Sequence, residues 1–213
     1  MAEGKLEEYL AKAQTVYEEG IKLIQDMTGW DKLDYESEKV TCSKRFVEET
    51  SFATLKADMF YDKAPETVAK YMFNNWGDLN LELNPDDLEE YRRTATLNDE
   101  VHLWYAKSKK IGPIDPRDFA ICSVYLNLGN DTFAIVQNSV DSDIPVPEGT
   151  TRADCKIFVH LLEPASGDSA RTHYSGVFLV DPKGSVPSFV ANGVMGRRAA
   201  FYEKLQEKIA AMA

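Results

Sequence analysis

A series of strand-like segments with short connections constrains the fold of this chain more than any other feature. The segments occupy residues 40–48, 51–60, 91–97, 101–107, 119–128, 132–139, 152–162 and 171–180. Turn signals separate several of them, and the clearest is Gly129-Asn130-Asp131, which predicts a hairpin. Parallel strands need a crossover of roughly a dozen residues or more, so short connections predict antiparallel pairing.

Apolar residues recur at helical spacing at both ends of the chain and once in between. This period predicts a long amphipathic helix over roughly the first 27 residues. A second, short helix opens at Ala64-Pro65-Glu66, and we expect it to end near Trp76. A closing helix carries one apolar stripe, formed by Val190, Val194, Phe201, Leu205, Ile209 and Met212. The predicted fold class is α+β, a curved antiparallel sheet with helices packed on it.

Length and charge limit the possible architectures and partners. With 213 residues the chain is long enough for one well-filled core and short for two, so we expect one domain over residues 1–213. No apolar run approaches the roughly 18 residues of a membrane span, which predicts a soluble, cytoplasmic protein, and we expect a monomer. The formal net charge of −11 argues against a nucleic-acid partner, because phosphate binding needs a concentrated basic surface. Cys42, Cys122 and Cys155 lack the spacing of a metal or redox site, so we expect no metal and no cofactor.

Several short motifs in a fixed order give the chain a resemblance to a known family. They are PIDPRDF at residues 113–119, SVDSDIPVPEGTTR at 139–152 and DPKGSVP at 181–187, preceded by Trp76 and Asp78 with Gly77 between them. Together they resemble the START family, the lipid-transfer domains related to the steroidogenic acute regulatory protein. The resemblance implies the helix-grip fold, in which the sheet wraps around a long C-terminal helix and leaves a lipid cavity between them.

The charges of these motifs have a structural interpretation. We expect Arg117, Asp118 and Arg152, together with Trp76, to fix loops and the sheet edge rather than to touch lipid.

Strand alternation, combined with the resemblance, predicts the cavity lining. Successive side chains of a strand face opposite sides, so residues two apart share a face. The predicted lipid-binding residues are His102, Trp104, Ala106, Phe119, Ile121, Ser123, Tyr125, Phe133, Ile135, Gln137, Tyr174, Gly176, Phe178, Phe189, Val190 and Val194. This set is largely apolar with a few polar side chains, as expected of a lipid pocket.

The class of lipid is left open by the residues at the family's headgroup positions. Sterol-binding relatives carry an arginine and an acidic residue where this chain has Ser123 and Trp104. Phosphatidylcholine-type members carry an arginine and an aspartate where this chain has Phe73 and Gly77. Of the polar positions of ceramide-type members, only Gln137 keeps a hydrogen-bonding side chain. We therefore expect a phospholipid, a sterol or a sphingolipid.

Basic residues cluster in two segments that the START fold brings together at the cavity mouth. This predicts a basic rim with apolar tips that touches membranes transiently, formed by Lys109, Lys110, Ile111, Ile114, Arg197 and Arg198. An ordinary solvated loop is the alternative for the lysines. Gly193 and Gly196 interrupt the stripe of the closing helix, where they either loosen it as a movable lid or permit close packing.

These features predict a protein without enzymatic activity that holds one lipid under its C-terminal helix and transfers it between membranes. One alternative is a lipid-gated interaction module that uses the acidic surface as its partner face. Another is a helix-grip enzyme acting on a lipid or polyketide-like substrate. Of His102, His160 and His173, only His102 is predicted to point inward, and none lies beside a recognisable nucleophile.

Overall fold

The computed structural model describes residues 3–46, 52–184 and 186–212, and within them three long helices flank and interrupt the strands. The helices are α1 (Glu3–Gln25), α2 (Pro65–Leu83) and α3 (Ser188–Ala210). The strands are β1 (Asp31–Lys32), β2 (Val40–Phe46), β3 (Ala53–Tyr61), β4 (Leu88–Asn98), β5 (Val101–Ser108), β6 (Arg117–Gly129), β7 (Thr132–Ser139), β8 (Thr151–Arg152), β9 (Asp154–Ala165) and β10 (Asp168–Asp181). The ends of the strands predicted around residues 47–51 lie outside the described residues.

The described strands form a curved sheet in the order β1-β2-β3-β10-β9-β7-β6-β5-β4, with antiparallel neighbours along this path. The short strand β8 lies off the path and pairs in parallel with the start of β6. Between β6 and β7, Gly129, Asn130 and Asp131 take φ values of 79°, 50° and 56°, the left-handed conformation of a tight hairpin. The predicted antiparallel α+β architecture is confirmed.

The two faces of the sheet bury different helices. On the convex face, α1 packs its apolar stripe against side chains of β6, β7, β9 and β10, including Val124, Val136 and Val159. On the concave face, α2 and α3 cover the opposite set of alternating side chains, including Trp104, Ile121 and Phe158. This arrangement, with the sheet wrapped around the C-terminal helix, is the predicted helix-grip fold.

The second helix is longer than the sequence predicts. It begins with Pro65 in its first turn, where the missing N–H costs nothing, and it continues beyond Trp76 to Leu83. The reason is that Leu79 and Leu83 continue the apolar spacing of its first half. The apolar stripe of α2 therefore extends through a stretch that appears polar in the sequence. Asn84 closes the helix, its N–H donating to the carbonyl of Asn80.

The adjacent charges of the PIDPRDF motif connect two segments of the chain to the start of β6. Arg117 donates hydrogen bonds to the backbone carbonyls of Pro182 and Lys183, both at 2.9 Å. The carboxylate of Asp118 is fully buried and accepts two hydrogen bonds from Arg152, at 2.8 and 2.9 Å. Arg152 also donates to the carbonyl of Ile144. The motif therefore holds the segment before β9 and the segment after β10 at one end of the sheet.

Candidate functional site

A cavity of about 280 Å³ lies between α3 and the concave face of the sheet. Most of its wall is apolar and comes from α2, α3 and the inner side chains of β3, β5, β6, β9 and β10. The wall continues to the β5–β6 turn, where the exposed residues Lys109 and Asp115 mark the mouth. The cavity thus combines a buried apolar interior with an opening beside a charged turn.

Several of the predicted lipid-binding residues line this cavity. They are Ala106, Phe119, Ile121, Gln137, Phe178, Val190 and Val194. The side chain of Phe189 lies outside the described residues.

The other predicted lining residues face the same side of the sheet but do not reach the cavity. They are His102, Trp104, Ser123, Tyr125, Phe133, Ile135, Tyr174 and Gly176. Part of this region is covered by α2, whose Phe73 stacks on the ring of His102 with 4.1 Å between centroids and lies 5.6 Å from that of Tyr125. The side chain of Tyr174 occupies the space beside Gly176, so that a Cβ at this position would clash with the hydroxyl of Tyr174.

Arg198 occupies a different place from the rim position that the sequence predicts. Its guanidinium lines the cavity, and its carbon atom Cζ lies over aromatic rings of Trp76, Phe158, Phe178, Phe201 and Tyr202, at 4.2 to 5.7 Å from their centroids. Its Nη1 donates to the side-chain oxygen Oδ1 of Asn80 at 3.1 Å.

The remaining residues of the predicted rim lie around the mouth. Ile111 and Ile114 bridge each other through two backbone hydrogen bonds and line the opening. Lys109 and Lys110 are exposed, and the Nζ atom of Lys110 lies 3.5 Å from the carboxylate of Asp115. The Nε atom of Arg197 lies 2.7 Å from the carboxylate of Asp87, which also lines the cavity. The mouth thus combines apolar side chains with basic groups, of which Lys110 and Arg197 are paired with carboxylates.

Gln137 and His160 are among the buried side chains that have an atom without a hydrogen-bond partner in the described residues. Gln137 lines the cavity and donates through Nε2 to Ser123 at 3.3 Å, but its buried oxygen Oε1 accepts no hydrogen bond. His160 is fully buried, with Nδ1 bonded to the hydroxyl of Tyr174 at 2.7 Å and Nε2 unpartnered. Burial, and then the charge of Arg198, lower the pKa of His160 well below its usual value, so its ring is neutral.

Asn80 and Arg198 were not assigned to the cavity from the sequence, although their spacing in the sequence indicates this position. Asn80 follows Trp76 by one helical turn, but the helix was expected to end before it. Arg198 stands between Val194 and Phe201 at helical spacing, within the apolar stripe of α3. A charged residue on such a stripe points inward, whereas averaging the charge over the segment placed it at the surface.

Comparisons with known proteins agree on one family. The START domain family model matches residues 14–210. No curated protein sequence matches the chain. Among solved structures, human StAR-related lipid transfer protein 5 superposes with a TM-score of 0.79 at 17% identity, over 95% of this chain and 97% of that one. Human STARD10 gives 0.70 at 21% identity, over 89% and 76% of the two chains. A STAR-related lipid transfer protein fragment from Xanthomonas axonopodis gives 0.68 at 19% identity, over 85% and 98%.

Proposed function

The chain belongs to the START domain family, whose members bind and transfer lipids, and we propose that it holds one hydrophobic lipid and carries it between membranes. The lipid is a phospholipid, a sterol or a sphingolipid, bound in the cavity beneath α3. The observation that carries this proposal is the apolar cavity itself, whose walls include Ala106, Ile121 and Phe178. We propose that the predicted lining residues outside the cavity shape its closed end.

The energetics of apolar transfer explain how such a cavity exchanges lipid. Each methylene group gains roughly 0.8 kcal/mol on leaving water, so a lipid does not escape from its bilayer unaided. An apolar cavity offers nearly the same environment as the bilayer, and exchange between them is close to balanced. The protein therefore needs to open at the membrane and to shield the lipid in transit, without changing it chemically.

The mouth provides the surface for this exchange in our proposal. Ile111 and Ile114 would enter the interfacial layer while Lys109 and Lys110 face anionic headgroups, and Arg197, predicted for the same rim, is paired with Asp87. The first half of α3, which contributes Val190 and Val194 to the cavity wall, would move as the lid. The cytoplasmic location and the monomeric state predicted from the sequence are part of the same proposal.

A catalytic role would rest on His102, and its surroundings do not favour one. Its ring stacks on Phe73, outside the cavity lining, and burial lowers its pKa to about 4, which makes it a weak base at neutral pH. Turnover of a lipid or polyketide-like substrate that disappears in His102→Ala would favour the enzyme instead.

A vesicle-to-vesicle transfer assay tests the proposal. Donor vesicles would carry fluorescent phosphatidylcholine, ceramide or a sterol analogue, and we expect the protein to accelerate transfer of at least one of them. Ala106→Phe places a ring in the cavity and should slow this transfer at least tenfold. Ala170→Phe adds the same ring at the exposed end of β10 and should leave the rate unchanged. The proposal is wrong if no lipid is transferred and none co-purifies, by native mass spectrometry, from the protein's own cells.

A further inference from the structure

The cavity contains a positive charge that the protein surrounds with aromatic rings. The guanidinium carbon of Arg198 lies 4.2 Å from the ring centroid of Phe201 and 5.1 Å from that of Phe158. Ring faces attract a cation, but they accept none of its N–H groups in ordinary hydrogen bonds. A guanidinium has five N–H donors in a planar fork, so most of its hydrogen-bonding capacity remains available here.

Among the described residues, Arg198 has only neutral hydrogen-bond partners, the side-chain oxygen of Asn80 and the hydroxyl of Tyr202. Its Nη1 donates to Asn80, and its buried Nε has no hydrogen-bond partner in the described part of the chain. No ion pair joins Arg198 to a carboxylate of the described residues, whereas the neighbouring Arg197 is paired with Asp87 at 2.7 Å. Of these two consecutive arginines of α3, Arg197 is neutralised by an ion pair, whereas Arg198 keeps its charge and faces the cavity.

The charge of Arg198 is felt by the groups that surround the cavity. It adds to burial in lowering the pKa of His160, which keeps that ring uncharged. At Tyr91 and Cys155, both in the cavity wall, burial raises the pKa and Arg198 only partly opposes it, so these groups stay protonated and neutral. None of these neighbours therefore provides a counter-charge to the guanidinium.

We propose that Arg198 binds an anionic group of the lipid held in the cavity, a carboxylate or a phosphate. Either group presents two or more oxygens that match the planar fork of a guanidinium, and the charge-assisted hydrogen bonds are strong in a water-poor site. The inference rests on the proposed lipid-binding function and narrows it, because a lipid without a negative charge leaves Arg198 uncompensated.

Four lipids with the same oleoyl chain test the inference, with binding to delipidated protein measured by native mass spectrometry and calorimetry. Oleate and oleoyl lysophosphatidate carry the two anionic groups, and methyl oleate and monooleoylglycerol are neutral. We expect at least one anionic lipid to bind the wild type at least tenfold more tightly than the neutral pair. Arg198→Gln should abolish this preference by weakening the anionic lipids at least tenfold more than the neutral ones, while Arg198→Lys should retain part of it. The better of oleate and lysophosphatidate identifies carboxylate or phosphate as the preferred group.

A matched control and the fold of each variant separate binding from structure. Lys204→Gln removes a positive charge from the exposed side of the same helix and should keep the wild-type preference. Thermal unfolding confirms that each variant is folded. Equal affinity of wild type and folded Arg198→Gln for the anionic lipids would overturn the inference, as would an equal loss for anionic and neutral lipids. A wild type that binds only the neutral pair overturns this inference alone, whereas binding of none of the four, with no lipid co-purified from its own cells, contradicts the proposed function.

Discussion

At the scale of single residues, the histidines couple stability to pH in opposite directions. Burial, and secondly the charge of Arg93, lower the pKa of His102 from 6.5 to about 4. His173 has its pKa raised, first by the carboxylate of Asp58, which lies 3.7 Å from its Nε2. The folded state therefore resists protonation of His102 and favours protonation of His173.

The consequence for His102 is a loss of stability as the pH falls from 6.5 to about 4, because the unfolded chain takes up a proton that the folded ring refuses. His102→Phe keeps an aromatic ring against Phe73 and should reduce this loss by on the order of 1 kcal/mol, one pKa unit being worth about 1.4 kcal/mol. Urea unfolding at pH 7, 5.5 and 4.5 measures it. His173→Phe should instead lower stability most at pH 5.5 and 4.5, because the contribution of protonated His173 is fully present below pH 6.5 and is lost as the pH rises through its raised pKa. Parallel pH profiles for wild type and His102→Phe would contradict the argument.

At the scale of elements, α3 has two glycines that its packing does not require. Among the atoms that the structure describes, a Cβ at Gly196 would meet none within 4 Å, and one at Gly193 would meet the flexible tip of Arg197, at 3.5 Å. Gly77 in α2 differs, because a Cβ there would lie 2.7 Å from the ring of Trp104. Close packing therefore explains the glycine of α2 but not those of α3, which leaves helix loosening as the interpretation for the latter.

Alanine at these positions tests that interpretation. Gly193→Ala and Gly196→Ala should each raise the free energy of unfolding by up to about 1 kcal/mol, the difference in helix propensity. If the first half of α3 is the lid, the double variant should also slow lipid release from the loaded protein. Gly77→Ala should lower stability by about 1 to 3 kcal/mol through overpacking. Urea unfolding and stopped-flow release of a fluorescent lipid measure both properties. Increased stability with unchanged release would exclude the lid.

The same elements show which parts of the structure the sequence could predict. Strand alternation assigned Ile121 to the concave face and left Cys122 for the convex face, because a period of two is a local property of the backbone. Strand alternation could not predict the depth of the cavity. This depth depends on how far α2 extends and on where Phe73 fills the space beneath it, which are consequences of tertiary packing. Arg198 was misplaced for a related reason, since composition favours arginine at a surface and only the helical spacing indicates the interior.

At the scale of the whole molecule, the mouth places two exposed lysines beside apolar side chains on a strongly acidic protein. A net charge of −11 repels an anionic bilayer from most directions, within a Debye length of about 8 Å at physiological salt. Lys109 and Lys110 carry exposed positive charge beside the apolar tips Ile111 and Ile114. The charge distribution should therefore orient the protein with its cavity mouth toward the membrane.

Reversing the two lysines tests this orientation. Because each basic residue near an anionic leaflet contributes about 1 kcal/mol, Lys109→Glu with Lys110→Glu should weaken binding to phosphatidylserine-containing vesicles by at least about 2 kcal/mol. Lys5→Glu with Lys22→Glu changes the net charge equally, but on α1, which covers the convex face, and should weaken binding far less. Sedimentation with anionic and with neutral vesicles measures the difference. Equal losses for the two double variants would mean that net charge alone governs docking. Unchanged binding of Lys109→Glu with Lys110→Glu would show that these lysines do not contribute to membrane binding.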